Sequence, residues 1–241
     1  TEYKKLLQLR EVVLFVRVDG SKFSLLLTKE FVMCNVCSTV NNPTFTHRQS
    51  DLRSKLWLFL KQLALPKVRG KVFGVPLKRS DIDGLMQGAV LTQKWPLGST
   101  EQHALIYKGD IERLAPGQEV LIRINSACYT GDIFHDQSCD CNEQFEVALK
   151  MLTAFDGPGL VLYHIEHEGK SHGYFEKLKS FDGEMYPVKG DRRDFRTAVS
   201  ILKNLGIRRV RVMTNNPEKV GILREYGLEV TGIVPIVSED P

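Results

Sequence analysis

Residues 119–141 read EVLIRINSACYTGDIFHDQSCDC. The segment begins with a run of strand-forming residues, and three of the chain's five cysteines then fall within fourteen residues, at Cys128, Cys139 and Cys141. Thiolates are preferred ligands of zinc, and two cysteines one residue apart can meet a third on a returning loop at one tetrahedral ion. The stretch therefore predicts a metal site that starts at the end of a strand.

The number of protein ligands decides what such a site can do. Three thiolates leave a fourth position for water, which is typical of a catalytic zinc ion, whereas four protein ligands are typical of a structural one. His135 lies between the cysteines in the sequence and is the candidate for a fourth ligand. The spacing favours metal binding and an open site, with closure by His135 as the alternative.

The composition indicates a globular protein. With 241 residues, 42% of them hydrophobic, the chain can build one large domain or two small ones. The net charge of +4 suits an anionic small molecule, and the basic residues are too dispersed for a nucleic-acid-binding surface. We therefore expect no nucleic-acid partner.

The cellular compartment follows from the cysteines and the apolar runs. No apolar run approaches a membrane span, and the N-terminal residues lack a signal peptide's apolar core. Five cysteines, three of them clustered, fit thiolate ligands in a reducing compartment better than a disulfide framework. We therefore expect a soluble, cytoplasmic protein with no membrane partner.

The N-terminal residues predict a β-hairpin and a helix. Residues 11–18 and 23–28 are rich in strand formers and flank Asp19-Gly20, a turn signal of the hairpin type. Apolar residues with helical spacing occupy residues 52–63, and Pro66 ends the helix that they predict.

Two further features mark the first hundred residues. Cys34 and Cys37 form a single C-x-x-C pair, and without a second pair at zinc-finger spacing a free or buried pair is favoured over a second zinc site. Glycine and proline are scattered through residues 67–98 without a clear period. We place a domain boundary there, with an N-terminal α+β region of unknown function at residues 1–98 and a second domain at residues 99–241.

Strands and helices alternate in the second domain. Strands are predicted at residues 104–108, 119–125, 160–163, 209–213 and 228–234. Amphipathic helices are predicted after Cys141, from Phe195 to Leu205, and from Pro217 until Gly227. This order predicts an α+β fold with α/β-like alternation in its second half, in which helices flank a mixed sheet.

Residues 164–173 read HIEHEGKSHG and hold three histidines, His164, His167 and His172. Three imidazoles so close in the sequence could form a second metal cluster. A loop of this kind after a buried strand is more often a polar edge that faces a substrate. We favour the polar edge, with the metal cluster as the alternative.

Two charged motifs could bind phosphate. In TNNPEK, Thr214 stands where a strand ends and a helix begins, and free N–H groups, the helix dipole and Lys219 would favour a phosphate there. A capped helix with a solvated lysine is the alternative. In DRRDF, an arginine held by Asp191 could bind or attack phosphorus, and a surface charge cluster is the alternative.

Five motifs follow one another in the order Cys-x10-Cys-x-Cys, Gln144, LYH with EGK, DRRDF and TNNPEKV. This order resembles the GTP cyclohydrolase II family, whose members open GTP at the start of riboflavin synthesis. The likeness extends from about His103 to Pro235. Some relatives carry an N-terminal dihydroxybutanone-phosphate synthase domain, but the acidic run of that domain is missing from this sequence, so we do not assign that activity.

The resemblance implies a zinc-dependent hydrolase acting on GTP. Cys128, Cys139 and Cys141 would hold one catalytic zinc ion per chain, whose water would attack C8 of the guanine ring, and formate would be released. Asp191 matches the family's proton acceptor. Arg193 matches its proposed nucleophile, which takes the nucleotidyl group as pyrophosphate leaves, with Mg²⁺ on the phosphates. The family also implies a homodimer.

The resemblance implies a set of substrate-binding positions as well. These are Arg123, Ile124, Asn125, Ser126, Gln144, Glu168, Gly169, Lys170, Thr214 and Lys219.

This sequence departs from the family pattern at several of the same positions. Asn125 and Ala127 replace a histidine and an acid before the first cysteine, and Lys170 replaces an arginine that can bind phosphate through two nitrogens. One residue is added before Glu168, and the segment between Gly173 and Asp191 is shorter than is typical.

The family's tyrosine associated with completing ring hydrolysis falls at Phe181, with Tyr174 and Tyr186 as alternative positions. The reaction could therefore stop at a formamidopyrimidine.

Three hypotheses follow. The leading one is a cyclohydrolase acting on GTP or a related purine nucleotide. The second is a divergent homologue acting on another substrate, as in fungal relatives associated with uracil catabolism. The third is a catalytically inactive nucleotide-binding protein with a structural zinc ion, which closure by His135 would support.

Overall fold

The structure is a computed structural model that describes residues 3–9, 12–19, 22–28, 58, 61–94, 98–181 and 190–237. The chain divides into two compact units, Thr1–Leu56 and Trp57–Pro241. The predictions for Cys34 and Cys37 lie outside the described residues. No helix in the described part is long and apolar enough to cross a membrane.

The first unit contains a three-stranded antiparallel sheet. Its strands are β1 (Tyr3–Leu9), β2 (Val12–Asp19) and β3 (Lys22–Thr28), in the order β1-β2-β3. The final pair of β2 and β3 joins Asp19 to Lys22, so Asp19 belongs to the strand pairing and not to the turn for which it was predicted. The two strands of the predicted hairpin are confirmed. Of the helix predicted over residues 52–63, the structure describes Leu58 and the last turn, where residues 61–63 are helical.

The second unit is built on a seven-stranded mixed sheet. Its strands are β4 (Lys67–Pro76), β5 (Met86–Gln93), β6 (Thr100–Lys108), β7 (Glu119–Ser126), β8 (Gly159–His164), β9 (Arg209–Met213) and β10 (Glu229–Val234). The order is β10-β9-β7-β8-β6-β5-β4. Strands β10, β9, β7 and β8 are parallel, and β6, β5 and β4 follow as antiparallel neighbours. The predicted mixed sheet and α+β class are confirmed.

The structural units do not separate at residue 98. Strands β4 and β5, which precede that point, belong to the same sheet. Strand β5 pairs with β6, and β4 pairs with β5 and forms the edge of the sheet. Their glycines and prolines weaken the period-two pattern on which a strand prediction depends, so the sequence shows a gap where the sheet continues.

Four helices of eight residues or more are described, and they lie on both faces of the sheet. They are α1 (Cys141–Ala154), α2 (Tyr174–Phe181), α3 (Arg196–Asn204) and α4 (Pro217–Glu225). Successive residues of a strand point to opposite faces. Ile122 of β7 accordingly joins the core cluster that α3 and α4 cover, and Leu121 joins the cluster that α1 covers.

The parallel strands bring the functional loops together. Ser126 at the end of β7 is paired with His164 at the end of β8, and β9 runs beside β7 in the same direction. The carboxyl ends of parallel strands meet at one edge, where open sheets of this kind bind their ligands. The cysteine loop, the EGK turn and the TNNPEK turn therefore all begin at the same edge.

Candidate active site

Three thiols converge at the end of β7. The Sγ atoms of Cys128, Cys139 and Cys141 all lie within 4.8 Å of one another, and the three residues are free cysteines. A tetrahedral zinc ion with Zn–S bonds of about 2.3 Å separates its sulfur ligands by about 3.8 Å. The three thiols therefore fit a zinc ion, and they are the only such metal-binding group among the described residues.

The backbone that joins the thiols is a short π-helical segment, Tyr129–Ile133. Cys128 precedes it, and its Sγ accepts a hydrogen bond from Gly131 N at 3.4 Å. A Cβ atom at Gly131 would lie 3.3 Å from that Sγ and 3.2 Å from the Sγ of Cys139. A side chain at this position would therefore crowd the thiols and move their sulfurs by a few tenths of an ångström.

The thiols influence one another's protonation. Hydrogen bonds from Cys141, Lys177 and Thr130 lower the pKa of Cys128, and the hydrogen bond to Cys128 together with burial raises the pKa of Cys141. Like charges at this distance cannot all form without a compensating cation. A dication bound among the three sulfurs would supply that compensation.

His135 does not join the thiols. Its side chain is exposed, its backbone φ is 52°, and its Nδ1 lies 3.0 Å from Nδ2 of Asn142. The left-handed backbone directs the imidazole to the helix that follows and away from the three sulfurs. The alternative of a site closed by His135 is therefore not supported.

Asp132 anchors the cysteine loop, and sequence reasoning missed it. Its Oδ2 accepts hydrogen bonds from the Cys128 backbone N–H at 3.1 Å and from the Tyr163 hydroxyl at 2.6 Å. Its buried Oδ1 has no hydrogen-bond partner among the described residues. Burial raises the pKa of this carboxyl group. Only its position inside the cysteine motif could have pointed to it.

A chain of hydrogen bonds connects β7 to α1 beside the thiols. Arg123 Nε donates to Asn125 Oδ1 at 2.8 Å, and Arg123 Nη2 donates to Gln144 Oε1 at 3.3 Å. Gln144 in turn donates to Asp140 at 2.6 Å. Burial lowers the pKa of Arg123 to about 10, so it remains a cation at neutral pH. Three of the predicted binding residues are thus brought together.

Arg193 and Asp191 form a tight pair just ahead of α3. Arg193 Nε donates to Asp191 Oδ1 at 2.9 Å, and a second nitrogen, Nη2, donates to Oδ2. The remaining nitrogen, Nη1, donates to Ser126 Oγ at 3.3 Å. The hydrogen bonds from Arg193 lower the pKa of Asp191. The pair belongs to the strand-end edge, which argues against the simple surface charge cluster.

Lys219 is buried, contrary to the solvated lysine of the capped-helix alternative. Its Nζ donates to the carbonyl oxygen of Ile124 at 2.8 Å and lies 5.5 Å from the centroid of the Phe195 ring. Burial and the nearby charges of Arg123 and Arg193 lower its pKa to about 7. An anion bound at the site would stabilise the charged form of this lysine.

Thr214 and Asn216 build the turn ahead of that helix. Thr214 Oγ1 accepts from Asn216 N at 3.0 Å, and Asn216 Oδ1 accepts from Glu218 N at 2.8 Å. The predicted cap is thus present, while Thr214 itself is buried at the strand end.

The EGK turn, Glu168–Lys170, links the cysteine loop to the DRRDF segment. Glu168 is buried and its Oε2 accepts from Tyr129 N at 2.5 Å. Gly169 and Lys170 have φ of 56° and 55°. Lys170 O accepts from Arg192 N at 3.1 Å, and the Lys170 side chain is exposed.

Residues 94–235 match the sequence model of GTP cyclohydrolase II, which is more than half of the chain. The chain belongs to the GTP cyclohydrolase II family. The resemblance inferred from the order of the motifs is confirmed, and the match begins close to the predicted start of the second domain.

Curated GTP cyclohydrolase II relatives carry names of riboflavin biosynthesis. "Probable bifunctional riboflavin biosynthesis protein RIBA 2, chloroplastic" of Oryza sativa subsp. japonica is 38% identical over 148 residues, covering 57% of this chain and 26% of the relative. "Riboflavin biosynthesis protein RibBA" of Aquifex aeolicus (strain VF5) is 38% identical over 133 residues, covering 51% and 32%. "Monofunctional riboflavin biosynthesis protein RIBA 3, chloroplastic" of Arabidopsis thaliana is 34% identical over 166 residues, covering 64% and 31%. The matched part of the chain thus spans a third or less of these relatives.

The histidines of this family member do not form a second metal centre in the described structure. His164 and His167 are buried and stacked, with ring centroids 4.6 Å apart, and His164 Nδ1 lies 3.1 Å from Nδ1 of His103. His172 is apart from them and contacts Gly190 O at 3.1 Å. The metal-cluster alternative is therefore not supported, and two of the three predicted edge histidines are core residues.

Phe181, which occupies the position of the family's tyrosine, lies on the last turn of α2. Phe181 is 47% exposed, and its ring centroid lies 6.0 Å from Nζ of Lys177. Tyr174 packs instead against Tyr129, with ring centroids 5.8 Å apart. Tyr186 lies outside the described residues.

Proposed function

We propose that the chain is a zinc-dependent hydrolase that opens the imidazole ring of GTP and releases formate and pyrophosphate. The observation that carries the proposal is the meeting of three free thiols with Arg193, Asp191 and Lys219 at the carboxyl ends of β7, β8 and β9. A zinc ion held by the thiols would supply Lewis-acid activation of water for attack at C8. The relatives' riboflavin names support the GTP substrate and the same pathway.

The base side of the substrate is proposed to lie at Arg123, Asn125 and Gln144. Their side chains are already held in place by hydrogen bonds to one another. A purine that replaces some of these hydrogen bonds would therefore lose little conformational entropy to ordering the side chains. Gln144 carries both donors and an acceptor, which suits the edge of a guanine ring.

The phosphate side is proposed to lie at Arg193, Lys219, Thr214 and Lys170. The triphosphate, with Mg²⁺ on its oxygens, would meet two cations that surround one aromatic ring, because Arg193 and Lys219 both lie within 5.5 Å of the Phe195 centroid. Lys170 would act as a point charge on a mobile stem, without the paired donors of an arginine.

Arg193 is proposed to be the nucleophile that accepts the nucleotidyl group. A guanidinium nitrogen would form a bond to the α-phosphorus while the bond to the pyrophosphate oxygen breaks. Asp191 would orient the guanidinium and take the proton that the nitrogen releases. Ser126 holds the opposite side of the same guanidinium.

The product of ring opening is a second part of the proposal. Phe181 supplies no hydroxyl at the position of the family's tyrosine, and the ring of Tyr174 is engaged with Tyr129. We propose that hydrolysis is slow after the first ring cleavage, so that a formamidopyrimidine accumulates. A homodimer is proposed from the family resemblance alone.

The proposal is tested by incubating metal-analysed protein with GTP and Mg²⁺ and following formate, pyrophosphate and nucleotides by mass spectrometry. Release of formate and pyrophosphate supports the cyclohydrolase proposal. Accumulation of a formylated ring-opened nucleotide supports the slow second hydrolysis, and its absence would refute that part. Zinc-loaded protein that binds GTP without turnover would refute the enzymatic proposal and favour a nucleotide-binding role.

A further inference from the structure

Lys177 of α2 is placed against the thiols, although neither its sequence context nor the family motifs mark it. Its Nζ lies 2.8 Å from Sγ of Cys128 and 3.2 Å from Oε1 of Glu168. The Lys177 side chain is 14% exposed and that of Glu168 is 5% exposed. Lys179, two residues later on the same helix, is 50% exposed and contacts its helical neighbours Glu176 and Phe175.

Helix α2 contacts the site at two places. None of its residues is fully buried in the described structure, but Tyr174 at its start packs against Tyr129 of the cysteine loop. The helix does come close to the EGK turn at Lys177, where a Cβ atom on Gly169 would lie 3.3 Å from Cβ of Lys177. The absence of a side chain at Gly169 is therefore one condition for the lysine to reach the sulfur.

The negative charges beside Lys177 favour a cation at its position. Three thiolates around a zinc dication leave one negative charge, and Glu168 adds another close by. An ammonium group that donates to one thiolate and to the carboxylate offsets one of these two negative charges, and hydrogen bonds of this kind orient metal ligands in other proteins.

We infer that Lys177 is a positioning residue of the metal centre, which orients the Cys128 thiolate and fastens α2 and the EGK turn beside the metal. The inference rests on the zinc site of the proposed function. It does not depend on GTP being the substrate.

The inference is tested by zinc affinity, measured by chelator competition, and by the thiolate-to-cobalt absorption of the Co²⁺ form. Lys177→Met should weaken zinc binding by about tenfold to a hundredfold, the usual effect of losing a partner of a metal ligand, and should shift the cobalt band. Lys177→Arg, which keeps a donor, should recover part of the affinity. Lys179→Met is the matched control and should bind zinc like the unaltered protein.

Each outcome separates the inference from the proposed function. Equal zinc affinity and an unchanged cobalt spectrum in Lys177→Met would overturn the inference alone. No zinc binding by the unaltered protein would overturn the metal centre of both. If Lys177→Met does not fold, as judged by circular dichroism, Lys177→Ala takes its place, because it also removes the ammonium donor, and an unchanged zinc affinity and cobalt band there would overturn the inference.

Discussion

Cys128, Cys139 and Cys141 lie beside a loop at the sheet edge, whereas His103, His164 and His167 lie in the core behind it. Both groups consist of side chains that bind zinc, and both lie near the ends of the same strands. The sulfurs converge on a common point and two of the cysteines are partly exposed. The imidazoles face one another, and their lone pairs are used by neighbours or enclosed.

The difference shows what a metal site needs besides the right residue types. His103 Nε2 is bonded to Thr92 Oγ1 at 2.8 Å, and His167 Nδ1 to Ser126 Oγ at 3.3 Å. Burial lowers the pKa of His103 to about 4 and that of His167 to about 3, so both are neutral at physiological pH. The three imidazoles pack against one another inside the core, whereas two of the three thiols are partly exposed and can be reached from outside.

Removing one thiol should have the largest effect. Cys139→Ser should reduce bound zinc from about one per chain to nearly none and reduce GTP turnover by at least about 10³-fold, because two remaining thiolates hold the ion too weakly. Metal analysis after dialysis measures the loss. His172→Asn, at a partly exposed histidine away from the thiols, is the control, and retention of zinc by the serine variant would refute the ligand set.

A variant at Arg193 tests whether pyrophosphate release depends on the DRRDF segment, separately from metal binding by the thiols. Arg193→Ala should slow pyrophosphate release by about 10³-fold or more, since it removes the proposed nucleophile, and should leave the zinc content unchanged. Arg192→Ala, at the neighbouring exposed arginine, is the control. Normal turnover by the Arg193 variant would exclude the covalent step.

The buried histidines should contribute to stability without contributing to metal binding. His164→Ala should reduce the free energy of unfolding by about 2–4 kcal/mol, because it leaves a cavity and breaks the hydrogen bond to His103. Urea unfolding measures the change, and zinc content should stay the same. Loss of zinc from a folded His164 variant would contradict the separation of the two groups.

The same burial predicts acid sensitivity. The pKa of His103 is about 4 when folded and near 6.5 when unfolded, so the unfolded chain binds the extra proton first as pH falls. The free energy of unfolding therefore keeps its full value above about pH 6.5 and falls progressively between pH 6.5 and pH 4, by up to about 3 kcal/mol. His103→Gln should flatten this part of the profile in urea unfolding measured from pH 7 to 4. An unchanged profile would show that other groups cause the acid sensitivity.

The smallest effect is expected at His135. His135→Asn should change neither zinc affinity nor turnover by more than about twofold, because the imidazole contacts Asn142 and not the thiols. Chelator competition is the measurement. A tenfold loss of zinc affinity would show that His135 closes the site in solution.

Much of the fold could be predicted from local patterns. The strands β7 and β9 and the helices after Cys141 and Pro217 follow from period-two and period-3.6 spacing and from caps, which involve residues close in the chain. Strands β4 and β5 were not predicted as part of the sheet, because their glycines and prolines interrupt the local pattern and the strands form by pairing with distant residues, β5 with β6 and β4 with β5.

The sequence alone identified the family and the three thiols that could hold a metal ion, because ligand type, spacing and motif order can be recognised without a fold. Only the tertiary structure decided that Lys177 reaches Cys128, that Lys219 is buried, and that His164 and His167 are core residues. Each of these depends on segments far apart in the chain meeting at the ends of β7 and β8. The burial of a side chain and its distance from its partners set its charge and reactivity, and both are defined only once the chain has folded.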